Sequence, residues 1–253
     1  MSSNDRPDPP SPPILHRDEV GSTNDELAKL AAAGADDGTA LAAVRQTSGR
    51  GRRGRSWQTL DGEQLLVSVL YRPTLELALL TGVTLDVGVA VAEVLEAHGL
   101  TPRLKWPNDI QLGGRKVGGV LCEIVEGPSV IVGLGLNVGA AHLPEDLAAS
   151  ATTLAAEGLA RDGATLLMEV VSAIRAACRA YDQRGAPRVD AWRSRSASLG
   201  AKVRELTGAH AGRVGDVTGV EADGALLVRW EGAATSERFI AGDLEVLVQG
   251  SPT

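Results

Sequence analysis

The sequence predicts an α+β fold, a larger domain built on a central mixed β-sheet flanked by helices, followed by a small C-terminal β-barrel. Three observations carry this. Between residues 14 and 199, β-branched runs and runs with helical spacing are interleaved. From Gly200 onward only short runs remain, separated by glycine and aspartate. At 253 residues with 43% hydrophobic content, the chain is long enough for a larger unit plus a small one.

The elements follow in order. Residues 1–13 hold prolines, serines and aspartates without apolar periodicity, so a disordered tail is expected there. Ser22-Thr23-Asn24-Asp25-Glu26 supplies N-cap candidates for a short helix that Gly34 ends. Thr39–Val44 and Leu65–Tyr71 read as strands joined by a glycine- and arginine-rich loop. Helical spacing from Glu76 to His98, stopped by Gly99, predicts a long core helix. Pro102–Trp106, Lys116–Val125 and Ser129–Val138 read as extended, and Thr165–Tyr181 and Val189–Ser196 as helices covering the sheet. Short runs such as KVREL, AGRVGDVTGV, ALLVRW and ERFI lie within residues 200–250, with Asp223-Gly224 as a hairpin turn.

Charge and composition exclude several classes. A net charge of −7 lacks the basic field that generalised nucleic-acid binding needs. The longest apolar stretches read as broken by charge or glycine before they span a bilayer, so no membrane association is expected. Cys122 and Cys178 form no C-x-x-C pair and no secretory pattern precedes them, which fits a reducing cytoplasm and two plain buried thiols. His16, His98, His142 and His210 stand apart without ligand spacing, so no metal site is identifiable.

Four segments carry chemistry. Gln46-Thr47-Ser48-Gly49-Arg50-Gly51-Arg52-Arg53-Gly54-Arg55-Ser56-Trp57 formally contains G-x-G-x-x-G, but a strand rather than a helix follows, which rejects a dinucleotide loop. Its glycines and guanidinium groups suit a loop that closes over a carboxylate or phosphate, and Trp57 offers a flat surface to an adenine. A solvated basic loop and an arginine hook for a DNA minor groove are the competing readings. Lys105-Trp106-Pro107-Asn108-Asp109-Ile110 ends a strand at proline. Lys116 then opens a strand, Arg115 to Glu123, that carries Gly118 and Gly119. A lysine at such a place is ordinarily just solvated unless other site elements converge on it. Finally, Gly133-Leu134-Gly135-Leu136-Asn137 places glycines on one face of an apolar strand, a floor for a flat ligand, with Asn137 as donor and acceptor.

These segments, in this order, resemble the biotin protein ligase family: a G-R-G-R-x-G-R-x-W loop, K-W-P-N-D, R-K-x-x-G-x-L-x-E and G-x-G-x-N, preceded by S-T-N at Ser22 to Asn24. The resemblance spans about Ile14 to Val248. It implies a class II synthetase-like fold with an SH3-like C-terminal barrel, and an enzyme that adenylates biotin with ATP and transfers it to a lysine of a biotin carboxyl carrier protein or domain. By position it implies Ser22, Thr23, Gln46, Gly49, Arg50, Arg52, Lys116, Gly119, Gly133 and Gly135 at biotin. It implies Arg52, Arg55, Trp57, Asn108, Lys116 and Asn137 at ATP, and Lys116, Arg52 and Asp109 as the catalytic set. Mg²⁺ follows from ATP chemistry and the resemblance, not from a ligand cluster. Only the expected tail precedes the catalytic region, so the resemblance is to members without a DNA-binding domain, and no DNA partner is expected. A lipoate ligase or octanoyl transferase shares the fold, but the full arginine loop and K-W-P-N-D point away from it. Sheet edges flanking the site are able to pair two protomers, which leaves a homodimer open.

Overall fold

The computed structural model describes residues 12–58, 64–139, 143, 145–208, 211–240 and 242–247. Its larger sheet has seven strands in the order β1-β2-β3-β7-β6-β5-β4. These are β1 (Ile14–Val20), β2 (Ala40–Gln46), β3 (Gln64–Tyr71), β4 (Arg103–Lys105), β5 (Asp109–Leu112), β6 (Arg115–Val125) and β7 (Ser129–Asn137). Only β1 and β2 pair in parallel, bridged by helix α1 (Thr23–Ala32), and this makes the sheet mixed. The sequence reading missed β1 and β5. The expected tail is also shorter than residues 1–13, because Pro12 O and Pro13 O accept from Arg175 Nη2 at 2.7 and 3.2 Å. The rest of that stretch lies outside the described residues.

Alternation along the central strands divides the sheet into two faces. Val67, Val69, Val132 and Leu134 point to one of them, where α2 (Val83–Ala97) and α4 (Gly163–Arg184) bury the main core. A 3-10 turn, Leu77–Gly82, leads into α2, so the long helix expected from Glu76 is a turn followed by a helix. Leu77–Ala97 has a mean hydropathy of 1.8, long and apolar enough by length and composition to cross a membrane, contrary to the sequence reading. In the fold it is the core helix, with Val87, Val89 and Val91 buried against the sheet and α4.

The opposite face is shared. At one end α1 covers it with a smaller core of Leu27, Leu41, Leu70 and Ile131. Toward the other end the same face carries Leu66, Gly135, Gly119 and Asp109 in one row across four strands. This row has little side chain, and the site lies over it.

α3 (Glu145–Ala148) and α5 (Val189–Arg195) complete the helices among the described residues. β8 (Lys202–Thr207), β9 (Val214–Val220), β10 (Leu226–Trp230), β11 (Glu237–Phe239) and β12 (Asp243–Leu247) form an antiparallel sheet in the order β11-β10-β9-β8-β12. This is the expected C-terminal β-structure. Its Val217, Val228 and Trp230 belong to the same buried cluster as α2, and Trp106 Nε1 donates to Gly224 O at 3.0 Å, so it is packed against the site.

Candidate active site

A register shift puts Lys116 on the site face. Asp109 pairs with Gly119 and Ile110 with Gly118, but Gln111 pairs with Lys116, leaving Val117 as an extra residue on β6. Strict alternation would set Lys116 and Gly119 on opposite faces; the bulge brings them to the same one. The backbone of Lys116 pairs with the 150–152 segment, its N–H on Ser150 O and its carbonyl accepting from Thr152 N–H, both at 2.8 Å. Its ammonium lies 2.6 Å from Asp109 Oδ1 and 5.6 Å from the centroid of Trp57.

The arginine loop is an arch. Arg50 and Ser56 form an antiparallel bridge, Gly51 N–H donates to Arg55 O at 2.7 Å, and Trp57 N–H donates to Gly49 O at 2.9 Å. The tip, Arg52–Gly54, is a 3-10 turn in which Arg53 takes a left-handed φ of 55°, a conformation costing a non-glycine residue about 1 kcal/mol. Arg50 reaches back to the sheet side, where its two Nη atoms meet the Asp25 carboxylate at 2.5 and 2.6 Å. Those bonds and the charge of Glu123 hold the guanidinium pKa up against desolvation. The other arginines reach the C-terminal sheet: Arg52 Nη1 donates to Gly242 O at 3.3 Å, Arg53 bonds Thr207, and Arg55 pairs with Asp243. Burial, then the charge of Arg53, lowers the Arg52 pKa from its ordinary value.

Two cavities adjoin beneath this arch. The larger, about 250 Å³, lies between the loop tip, the Lys105–Asp109 turn, Lys116 and the β12 strand, and takes in Arg52, Arg55 and Asn108. The smaller, about 40 Å³, is lined by Ser22, Thr23, Gln46, Gly133 and Gly135. Arg50, Trp57, Gly119 and Leu121 border both. Gly135 is required here because a Cβ on it would sit 2.7 Å from the Trp57 ring. The indole Nε1 is buried and has no hydrogen-bond partner among the described residues, a donor left without an acceptor.

The residues expected at biotin thus gather around the smaller cavity, apart from Gly49, which braces Trp57 from behind, and Arg52 and Lys116, which line the larger one. Asn108 fixes its turn by donating from Nδ2 to Val120 O at 3.0 Å. Asn137 borders neither cavity: its Nδ2 donates to Thr152 O at 3.0 Å and its Oδ1 accepts from Gln64 Nε2 at 2.9 Å. Sequence reasoning gave no place in the site to Asn24, Asp25, Ser68, Glu123, Thr207 or Asp243. Asn24 and Glu123 stood inside the quoted motifs and Asn24 and Asp25 among the N-cap candidates; Ser68, Thr207 and Asp243 carried no signal.

A mixed sheet whose glycine row lies under an arginine arch, beside a small antiparallel sheet, is suited to holding a carboxylate or phosphate over the sheet. The model of the biotin/lipoate A/B protein ligase family matches residues 19–137. A biotin–[acetyl-CoA-carboxylase] ligase of Mycobacterium tuberculosis is 36% identical over 217 residues, covering 81% of this chain and 77% of that protein. The bifunctional ligase/repressor BirA of Bacillus spizizenii is 30% identical over 92% of this chain and 74% of its own. Among solved structures, the Aquifex aeolicus biotin protein ligase in complex with biotin and ATP superposes with a TM-score of 0.80 at 30% identity, covering 92% of this chain and 98% of that one. The chain belongs to the biotin protein ligase family.

Proposed function

We propose that this chain joins biotin to ATP as biotinyl-AMP, releasing pyrophosphate, and then transfers the biotinyl group to a lysine of a biotin carboxyl carrier protein or domain. The observation that carries the reading is the meeting of the two cavities at Gly119, with Lys116 and Trp57 at the junction. A glycine-floored pocket for a flat ring opens into a cationic cavity for phosphates.

In the first step a biotin carboxylate oxygen attacks the α-phosphorus, and the bond to the bridging oxygen breaks as pyrophosphate leaves. Two anions must be held together while charge builds on the phosphoryl oxygens. Lys116 and Arg52 supply fixed positive charge for this, with Arg50 and Arg55 around them and Asn108 toward the nucleotide; Asn137, expected at ATP, borders neither cavity and instead ties the end of β7 to Thr152 and Gln64. Ser22, Thr23, Gln46 and the backbone at Gly49, Gly119, Gly133 and Gly135 hold biotin. At about 40 Å³ the smaller cavity cannot take a bicyclic ring, so the Trp57 indole shifts off Gly135 when biotin enters and the arch closes again above it. In the second step the carrier amine attacks the acyl carbon, AMP leaves, and Asp109 orients or deprotonates the amine.

Among the described residues no three His, Cys, Asp or Glu side chains assemble as a cation site. Asn108 and Asp109, the oxygen donors beside Lys116 in the larger cavity, would hold the Mg²⁺ that ATP chemistry calls for. Bound there, it would neutralise phosphate charge. The same reading gives a cytoplasmic enzyme with no DNA or membrane partner, with residues 14–199 as catalytic domain and 200–250 as a second unit. The β1 edge of the sheet is where two copies would pair.

The test is ATP-dependent transfer of biotin to an isolated carrier domain, with lipoate and octanoate as competing acids and pyrophosphate followed in parallel. Biotin-specific transfer is expected. Turnover of lipoate or octanoate instead, or of no acid, would overturn the reading.

A further inference from the structure

Glu123 is held from two sides. Its Oε2 accepts from Asn24 Nδ2 at 2.6 Å, while Arg50 Nη2 lies 3.2 and 3.3 Å from its two carboxylate oxygens. Asn24 leads inward, its Oδ1 accepting from Ser68 Oγ at 2.6 Å. Ser68 Oγ lies 2.8 Å from Thr23 Oγ1, which in turn lies 3.1 Å from Gln46 Oε1. A hydroxyl has one hydrogen to give. Ser68 Oγ faces both Asn24 Oδ1 and Thr23 Oγ1 as donor and must choose between them, while Thr23 Oγ1 donates to Gln46 Oε1, which also accepts from Thr23 N at 2.7 Å. A ligand that engages Thr23 or Gln46 therefore redirects hydrogen bonds along a continuous chain that ends at the arginine arch.

We propose that Glu123 is a positioning residue that couples occupation of the small pocket to closure of the arginine loop, through Asn24, Ser68 and Thr23 on one side and Arg50 on the other. The inference rests on the pocket's being the biotin pocket. Asp25 is the contrasting latch: it grips the same guanidinium, is itself half exposed at 47%, and among the described contacts has no link into the pocket. Glu123 conveys occupancy; Asp25 only adds hold.

Limited trypsin digestion reads this directly, since Arg50, Arg52, Arg53 and Arg55 are themselves cleavage sites. Cleavage at these four positions is followed by mass on the full chain, with and without saturating biotin, beside the release rate of preformed biotinyl-AMP and the thermal midpoint. In the wild type, biotin protects the loop. Glu123→Gln keeps the shape and a partner for Asn24 but removes the charge that Arg50 senses. It is expected to abolish most of the protection and speed adenylate release about tenfold, within the usual range of coupling between sites. Asp25→Asn is expected to raise cleavage equally with and without biotin, leaving the protection ratio as it was. A Glu123→Gln enzyme protected to the wild-type ratio, with unchanged release, overturns the coupling even if its thermal midpoint falls. A wild type that calorimetry shows not to bind biotin overturns the functional reading, and the coupling with it.

Discussion

Lys116 Nζ lies 2.6 Å from Asp109 Oδ1, across a bulge that exists only because Val117 has no partner residue on β5. The pair sets the ammonium at the junction of the two cavities. Removing one preorganised charge of this kind is expected to slow adenylate formation by about 10²–10³. Lys116→Ala should show that loss in single-turnover pyrophosphate release while melting near the wild type, because the side chain is partly exposed and fills no core. Asp109→Asn, which leaves the lysine in place but unoriented, should lose less. Wild-type rates in Lys116→Ala would remove the residue from the mechanism.

Gly135 faces the Trp57 ring so closely that any side chain collides with it: the added Cβ of alanine would stand 2.7 Å from the indole. Overpacking of this sort costs about 1–3 kcal/mol. Here the indole can swing outward with the loop, so the cost is expected to appear in ligand binding rather than in folding. Titration calorimetry on Gly135→Ala should show biotin affinity reduced by about tenfold or more at an almost unchanged melting temperature. Undiminished affinity would mean that biotin does not enter over Gly135.

Helices α1, α2, α4 and α5 were legible in the sequence because their apolar residues recur at helical spacing and glycines stand near several of their ends, Gly34 and Gly99 among them; the four-residue α3 was too short to register. β1 was not. His16, Arg17, Asp18 and Glu19 form its centre, all exposed, and only tertiary pairing with β2 makes it a strand. β5 is four residues between a proline turn and two glycines, too short for alternation to register. The site divides in the same way. Its cations and glycines were visible as motifs, but the bulge at Val117 is a property of the register between two strands. The Asn24–Ser68–Glu123 contacts join residues 44 and 99 positions apart, which no local pattern encodes.

Asp162 begins α4 by accepting from Thr165 N at 2.9 Å, and the backbone bond, followed by the Thr165 hydroxyl and Ala164 N–H, lowers its pKa from the ordinary aspartate value. A carboxylate depressed in the fold stabilises fully above its unfolded pKa and loses that stabilisation as pH falls through the folded one. Asp162→Ala should therefore melt below the wild type at neutral pH, with the gap closing only in the acid range beneath an ordinary aspartate. A gap that is constant down to pH 2 would show that the cap's charge plays no part.

Cys122 and Cys178 are both free, and burial pushes the Cys122 thiol up to about 11 and Cys178 well above its ordinary value. Only the thiolate reacts, so neither is a nucleophile at neutral pH. A thiol reagent at pH 7.5 should label the native protein slowly, at half-buried Cys122 before buried Cys178, and label both thiols quickly once denaturant unfolds it. Rapid labelling of the native protein at either position would place that cysteine in an environment unlike the one described.

Three of the loop arginines end on the C-terminal sheet: Arg52 on Gly242 O, Arg53 on Thr207 and Arg55 on Asp243. That sheet therefore walls the cavity and also holds the arch above it. The Arg55 side chain is 61% exposed, so the pair with Asp243 is screened and contributes at most about 1 kcal/mol, near fivefold in an equilibrium. Asp243→Ala removes that hold without touching the cations. Its KM for ATP should rise a few-fold while kcat stays close to the wild type, since the proposed mechanism leaves Lys116 and Arg52 at the transition state. A fall in kcat with KM unchanged would show instead that Asp243 acts on the reacting phosphate, and an enzyme unchanged in both would show that the arch closes without help from β12.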